Sequence, residues 1–190
     1  MRSVVKTPYM CRSGAIPDEV CDMIIKQGKE LKSKEATVFR DKGLTQDLKL
    51  RKGNVSFFNK ESWVDPMLQG HVISANLLSG WGFRIDGGER VQFADYCDGA
   101  FYDWHRDCND NPGGVYRKLS VTVQLSAPGD YEGGDFHLRD LYNKKDITLK
   151  GTRDRGTIIV FPSILLHRVT PVTEGHRYSL VQWYDGPDFV

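Results

Sequence analysis

The chain has 190 residues, with 39% hydrophobic and 27% charged, which suits one globular domain with a real core and leaves no room for two large ones. Lys and Arg number 26 against 25 Asp and Glu, a formal charge of +1, so no general attraction to nucleic acid or an anionic membrane is expected. No apolar run reaches the length of a bilayer span, the first eight residues lack a signal-type apolar segment, and the four cysteines (Cys11, Cys21, Cys97, Cys108) lack zinc-site spacing. A cytoplasmic chain with reduced thiols is the resulting expectation.

In chain order, Ile16-Pro17-Asp18 opens a helix over 17–33, with proline suited to the first turn and Val20, Ile24 and Leu31 on one side. Asn54–Phe58 reads as a strand. A second helix is expected over 61–79, carrying Trp63, Leu68, Ala75 and Leu78. After Gly80 the pattern changes to short strands separated by turn residues, as in a sandwich or barrel. The expected strands are Trp81–Ile85, Glu89–Cys97, Phe101–His105, Arg117–Ser126, Gly134–Leu138, Gly156–Phe161, Leu165–Pro171 and His176–Tyr184. Leu119 to Ser126 alternates strictly, so Ser120, Thr122, Gln124 and Ser126 share one face suited to a polar cavity. Residues 139–155 are dense in charge and read as a solvated excursion.

His105-Arg106-Asp107 places an imidazole and a carboxylate at i and i+2, on one side of a strand. Alone this pairing is common. A facial triad of the non-haem Fe(II) type, two histidines and one carboxylate, needs a second histidine from a distant strand. His71 lies in the second helix. His137, in Asp135-Phe136-His137, is a competitor. His167 is favoured by the segment after it: a hairpin turning about Val172–Gly175 sets His167 opposite Arg177 across the ladder, with Ser179 and Trp183 sharing the parity of Arg177 and His176 pointing away. A metal ligand and a guanidinium then look into one cavity. Three protein ligands on octahedral Fe(II) leave room for 2-oxoglutarate to chelate and for O2 to bind. The far carboxylate of that co-substrate needs a cation, which a guanidinium meets bidentately.

Tyr96-Cys97-Asp98-Gly99-Ala100-Phe101-Tyr102-Asp103-Trp104-His105-Arg106-Asp107 resembles the YxxGxxYxxHxD signature of prolyl 4-hydroxylase-like 2-oxoglutarate/Fe(II) oxygenases. Gln124-Leu125-Ser126 with Tyr131-Glu132-Gly133-Gly134, and Phe161-Pro162-Ser163 with His167-Arg168-Val169-Thr170-Pro171-Val172, are similar to the PKHD-type hydroxylases within that group. The resemblance spans roughly residues 50 to 185. It implies an all-β core, a double-stranded β-helix or jelly roll over about 81–185, with N-terminal helices from about 1–80 packed on one sheet. That is α+β overall, in a single domain over 1–190.

The resemblance further implies His105, Asp107 and His167 as iron ligands, Arg177 as the carboxylate anchor, and Tyr96, Ser179 and Trp183 as co-substrate or metal-side contacts. Gln124 stands where the oxygen-sensing members have tyrosine, and is expected to contact the co-substrate. Arg51-Lys52-Gly53-Asn54 lacks the acidic residue of their RGD-like strand. The implied activity is a dioxygenase that uses Fe(II), 2-oxoglutarate and O2, with ascorbate as an accessory reductant and succinate and CO2 as co-products. Asp107 at the ligand position favours hydroxylation over halogenation. The implied substrate is a prolyl residue of a peptide or protein, with free proline or another amino acid as the alternative and a non-catalytic jelly-roll binding module as the different-class reading. A nucleic-acid demethylase is disfavoured because Trp183 stands where a second arginine is expected. Small members occur in bacteria and their viruses, which suggests such an origin. The oligomeric state is not indicated.

Overall fold

In the computed structural model, which describes residues 7–40, 43–108, 116–140, 144–147, 149 and 151–187, two β-sheets face one another across a cleft. The major sheet has the spatial order Met10–Arg12, Ile158–Pro162, Tyr116–Gln124, Arg177–Gly186, Gln92–Tyr96, Asn54–Phe57, Lys34–Glu35, with Gly87–Gly88 also pairing with Arg177–Gly186. The minor sheet has the order Asp146–Ile147, Phe136–Arg139, Leu166–Val169, Phe101–His105, Arg51–Lys52. Tyr131–Gly133 pairs with Val172–Gly175 at one end, and Val38–Arg40 with Gly43–Thr45 elsewhere. All pairings are antiparallel among the described residues, and this is the jelly-roll arrangement expected.

The helices Asp18–Glu30 and Val64–Leu78 cover the outer face of the major sheet. Pro17 precedes the first helix with extended ψ, and Asp18 and Glu19 supply negative charge at its N-terminal end. Val64, Leu68, Val72 and Ala75 recur at helical spacing and are buried against Leu119, Val121, Val123 and Leu180. The buried stripe is therefore rotated from the one expected, since Trp63 and Leu78 are exposed. Gly28 is required where it stands: a Cβ there would come within 2.5 Å of the Phe93 ring.

Three expectations need correction. Trp81–Ile85 is not a strand; Gly80 and Gly82 have φ of 67° and 65°, and the backbone of Phe83 pairs with the Asn76 side chain at 3.1 and 2.8 Å instead of a neighbouring strand. Val172–Gly175 is a strand rather than a turn, and the chain crosses between sheets around it, so Leu166–Val169 and Arg177–Gly186 do not pair with each other. The 139–155 stretch is only partly an excursion. Asp146–Ile147 extends the minor sheet, Ile147 and Leu149 pack on the Phe136–Phe161 cluster, and Arg153 bonds Asp135 and the carbonyls of Gly133 and Tyr131; residues 141–143, 148 and 150 lie outside the described residues.

Candidate active site

Phe101–His105 and Leu166–Val169 are neighbours in the minor sheet, and His105 lies directly opposite His167 in their register. Side chains paired this way share a face, so both imidazoles enter the cleft, their ring centroids 4.1 Å apart. Asp107 lies two residues beyond His105, just past the strand end, where its amide and that of Cys108 bond the Ser163 carbonyl at 3.1 and 3.0 Å. Its carboxylate is buried, 3.5 Å from His105 Nε2 and 3.2 Å from His167 Nε2. One ligand atom from each of the three lies within 4.8 Å of the others.

The two histidines are aimed by the same device. Nδ1–H of His105 donates to the Asp103 carbonyl at 2.7 Å, and Nδ1–H of His167 to the Leu165 carbonyl at 3.0 Å. A carbonyl only accepts, so the proton sits on Nδ1 and each Nε2 lone pair faces the carboxylate, as a metal requires. Tyr102 stacks on the His105 ring at 3.3 Å. Ser120 Oγ donates to Asp107 Oδ2 at 2.7 Å and contacts Ser163 Oγ at 2.9 Å, which holds the carboxylate in orientation.

The electrostatics agree with a cation site. Burial, then the adjacent His167 ring, pushes the His105 pKa down to about 4, so the ring is neutral near pH 7. Burial would raise the Asp107 pKa, but the adjoining imidazoles, His167 first and then His105, outweigh it and hold the carboxyl well below its ordinary range. Two imidazole nitrogens and one carboxylate are the donor types of a facial triad, and they could hold a metal ion here.

At the other end of the cleft stands Arg177, paired with Tyr96 in the major-sheet register. Its guanidinium is buried, and Nη1 donates to Ser179 Oγ at 3.2 Å, while Nε has no partner. No described carboxylate pairs with it, and burial, partly offset by the nearby Tyr131 and Tyr96 phenols, lowers its pKa. Gly134, at φ 63°, leaves the space this side chain needs: a Cβ there would lie 2.8 Å from Arg177 Cδ. A buried guanidinium left without a counter-charge is costly, so the site is completed by an anion. Trp183 is buried with Nε1 unpartnered, and the guanidinium of Arg117, held by Glu89 at 2.8 Å, stacks 4.0 Å over its ring.

His105, Asp107, His167, Arg177, Tyr96, Ser179 and Trp183 thus all line one cleft of about 490 Å3, open solvent at its mouth included. His167 and Arg177 reach it from opposite sheets, not across one ladder as the expected hairpin requires. Gln124 is not among the lining residues; its Nε2 donates to the Ser126 carbonyl at 3.0 Å. Of its strand face, Thr122 lines the cleft, Ser120 holds Asp107, and Ser126 Oγ bonds the Tyr178 amide and His176 carbonyl. His137 pairs in register with Arg168 and faces outward, its Nδ1 3.2 Å from that guanidinium, so it does not compete for the metal. His71 belongs to neither cluster of metal-ligand type.

Sequence reasoning missed Arg51 and Gln92. Arg51 is buried in the cleft wall, over the Tyr102 ring at 4.5 Å, with Nη1 on the Thr37 carbonyl at 3.1 Å, Nη2 on Gln92 Oε1 at 3.3 Å and Nε unpartnered. The only available signal was its adjacency to Gly53, whose φ of 153° carries the chain from one sheet to the other under the Tyr96 ring.

Comparison with known proteins agrees with this geometry. A PKHD-type hydroxylase of Shewanella sp. (strain ANA-3) is 35% identical over 94 residues, which cover 48% of this chain and 40% of that protein. This chain therefore spans well under half the length of the curated relative it matches. Among solved structures, a prolyl-4-hydroxylase of Pseudomonas putida superposes with a TM-score of 0.72 at 17% identity, covering 96% of this chain and 95% of that one. A prolyl hydroxylase of Trichoplax adhaerens, in complex with a hypoxia-inducible-factor peptide fragment, superposes at 0.70 with 18% identity and 94% and 84% coverage. Likeness at such identity speaks to the fold. The family profile of the 2OG-Fe(II) oxygenase superfamily matches residues 91–185, half of the sequence and the part that carries all three donors, and the chain belongs to that superfamily.

Proposed function

We propose that this protein is a 2-oxoglutarate- and Fe(II)-dependent dioxygenase that hydroxylates a prolyl residue in a peptide or protein. The observation that carries the reading is the pairing, in one cleft, of a His105–Asp107–His167 donor set with a buried Arg177 that no described carboxylate pairs with. His105, Asp107 and His167 would hold Fe(II), and Arg177, Ser179 and Tyr96 would hold 2-oxoglutarate. When bound, the iron and 2-oxoglutarate supply O2 activation coupled to decarboxylation, with succinate and CO2 as co-products. The side chains orient the partners. The Nδ1–carbonyl bonds fix both imidazoles, Ser120 fixes the carboxylate, and Arg177 meets the distal carboxylate of the co-substrate. Phe136, Phe161, Val181 and Trp183 line the cleft with apolar surface, which limits water around the reacting carbon. The prolyl assignment draws support from the prolyl hydroxylases among similar structures, one of them with a bound peptide.

Arg51 favours a second reading. A guanidinium in the cleft wall, paired with no carboxylate among the described residues, suits a substrate that brings its own, such as free proline or another amino acid. Mass spectrometry of peptide and amino-acid libraries incubated with the protein, Fe(II) and 2-oxoglutarate separates the two. One added oxygen on a peptidyl proline supports the first reading, and the same addition on a free amino acid supports the second. A set of libraries without product and without succinate would leave a non-catalytic binding module.

A further inference from the structure

We propose that Asp95, Cys97 and His176 form a second metal site, which takes a Zn2+-class divalent cation on the face of the major sheet opposite the cleft. The register places these side chains together. Arg177 pairs with Tyr96 and Tyr178 with Asp95, so His176 falls opposite Cys97 and diagonal to Asp95. Tyr96 and Arg177 face the cleft, and the residues flanking them face the other way. One ligand atom from each of Asp95, Cys97 and His176 lies within 4.8 Å of the others, and His176 Nδ1 is 2.9 Å from Asp95 Oδ1.

A cation at thiolate and imidazole bonding distances of about 2.0–2.3 Å needs only a small closure of that triangle. Two strands hold the ligands, and the turn after Cys97, with Asp98 at φ 48° and Gly99 at φ 75°, fixes the thiol end. The Asp98 carbonyl accepts a hydrogen bond from Lys52 Nζ, which anchors that turn to the minor sheet.

The chemistry of the set is selective. Sulfur, imidazole nitrogen and one carboxylate oxygen suit Zn2+ in a tetrahedron with water as the fourth ligand, whereas the cleft offers no sulfur. The side chains of Asp95 and His176 are 31% and 53% exposed, so a cation has a path in. Binding releases the Cys97 thiol proton to solvent, because the thiolate is the ligand. The site lies back to back with Tyr96 and Arg177 on the same rungs, and a bound cation would cross-link the strands that carry them.

Co(II) titration of the full chain distinguishes the sites, because a thiolate ligand gives a near-ultraviolet charge-transfer absorption that a site of two imidazoles and a carboxylate lacks. The wild type should bind Co(II) at two sites and show this absorption. His105→Ala/His167→Ala should keep it, Cys97→Ser should lose it while the cleft still binds Co(II), and Zn2+ should bleach it. Asp95→Asn and His176→Ala should each weaken Co(II) affinity, read from that absorption, by more than the roughly 10- to 100-fold that loss of an outer-shell partner costs. Without any variant, Zn2+ should slow alkylation of Cys97 in the wild type, read by peptide mass. No thiolate absorption at saturating Co(II), absorption that survives Cys97→Ser, or alkylation indifferent to Zn2+ each overturns the proposal.

Discussion

The two ends of the cleft are finished to different degrees. At the metal end each of the three donors is held: the Asp103 and Leu165 carbonyls take the imidazoles, Ser120 the carboxylate, and the Ser163 carbonyl the Asp107 amide. At the other end Nε of the Arg177 guanidinium is buried without a partner, and between the ends the cleft wall holds two more such donors, Nε of Arg51 and Nε1 of Trp183. The first end is pre-organised to receive a cation with little rearrangement, and the second is left for an anionic ligand to complete. A buried orphan donor ordinarily costs about 1–3 kcal/mol, so its retention at three positions lining one cleft marks a place for something that binds.

Removing a donor from the finished end has the largest effect expected. His167→Ala leaves two ligands and should abolish both Fe(II) binding, measured by metal analysis after gel filtration, and succinate formation. His137→Ala should retain both. At the unfinished end Arg177→Gln should keep the metal but weaken 2-oxoglutarate binding on the order of 100-fold, the scale for losing one partner of a buried charge pair. Arg177→Met should not lower the melting temperature of the ligand-free protein, since it removes an unpaired buried charge, yet it should abolish the rise that 2-oxoglutarate gives the wild type. A fall in the ligand-free melting temperature would mean Arg177 is a structural cation instead.

Smaller effects sharpen the contrast. Ser120→Ala frees the Asp107 carboxylate and should weaken Fe(II) binding by about 10- to 100-fold without moving 2-oxoglutarate affinity at saturating metal. The pH dependence of the metal-free protein stems from His105. Its folded pKa, about 4, lies below the ordinary 6.5, so the unfolded chain binds more protons between those values, and stability should fall as pH drops through that window. Asp107, also held below its ordinary value, continues the loss at lower pH. His105→Asn should flatten the upper part of that curve, and denaturant titration at several pH values measures it.

The metal end is the more legible in sequence because its logic is local. His105 and Asp107 are two residues apart on and just after a correctly placed strand, and His167 stands in a strand whose neighbour can be guessed. Arg177 is also legible, but for the wrong geometric reason: the hairpin that would place it opposite His167 is a crossover between sheets, and the two meet because the sheets face each other. Arg51 is illegible as a site residue, and alternation puts Ser120 on a cavity face without showing its bond to Asp107, because both roles exist only once strands far apart in sequence are stacked. Gln124 shows the converse case, since its parity is right but its Nε2 is turned to the Ser126 carbonyl, two residues along the chain, with Oε1 buried and unpartnered. Trp81–Ile85 looks like a strand by composition, while two glycines and a side-chain clamp from Asn76 engage its backbone elsewhere.

One ligand that bridges both ends of the cleft would couple them, and 2-oxoglutarate affinity measured under anaerobic conditions with and without Fe(II) reads that coupling. The bridged cleft predicts that Fe(II) tightens 2-oxoglutarate at least tenfold, a coupling of about 1.4 kcal/mol, and does nothing for glutarate, which lacks the chelating keto group. Equal affinity with and without the metal would show that the two ends bind independently and would contradict it.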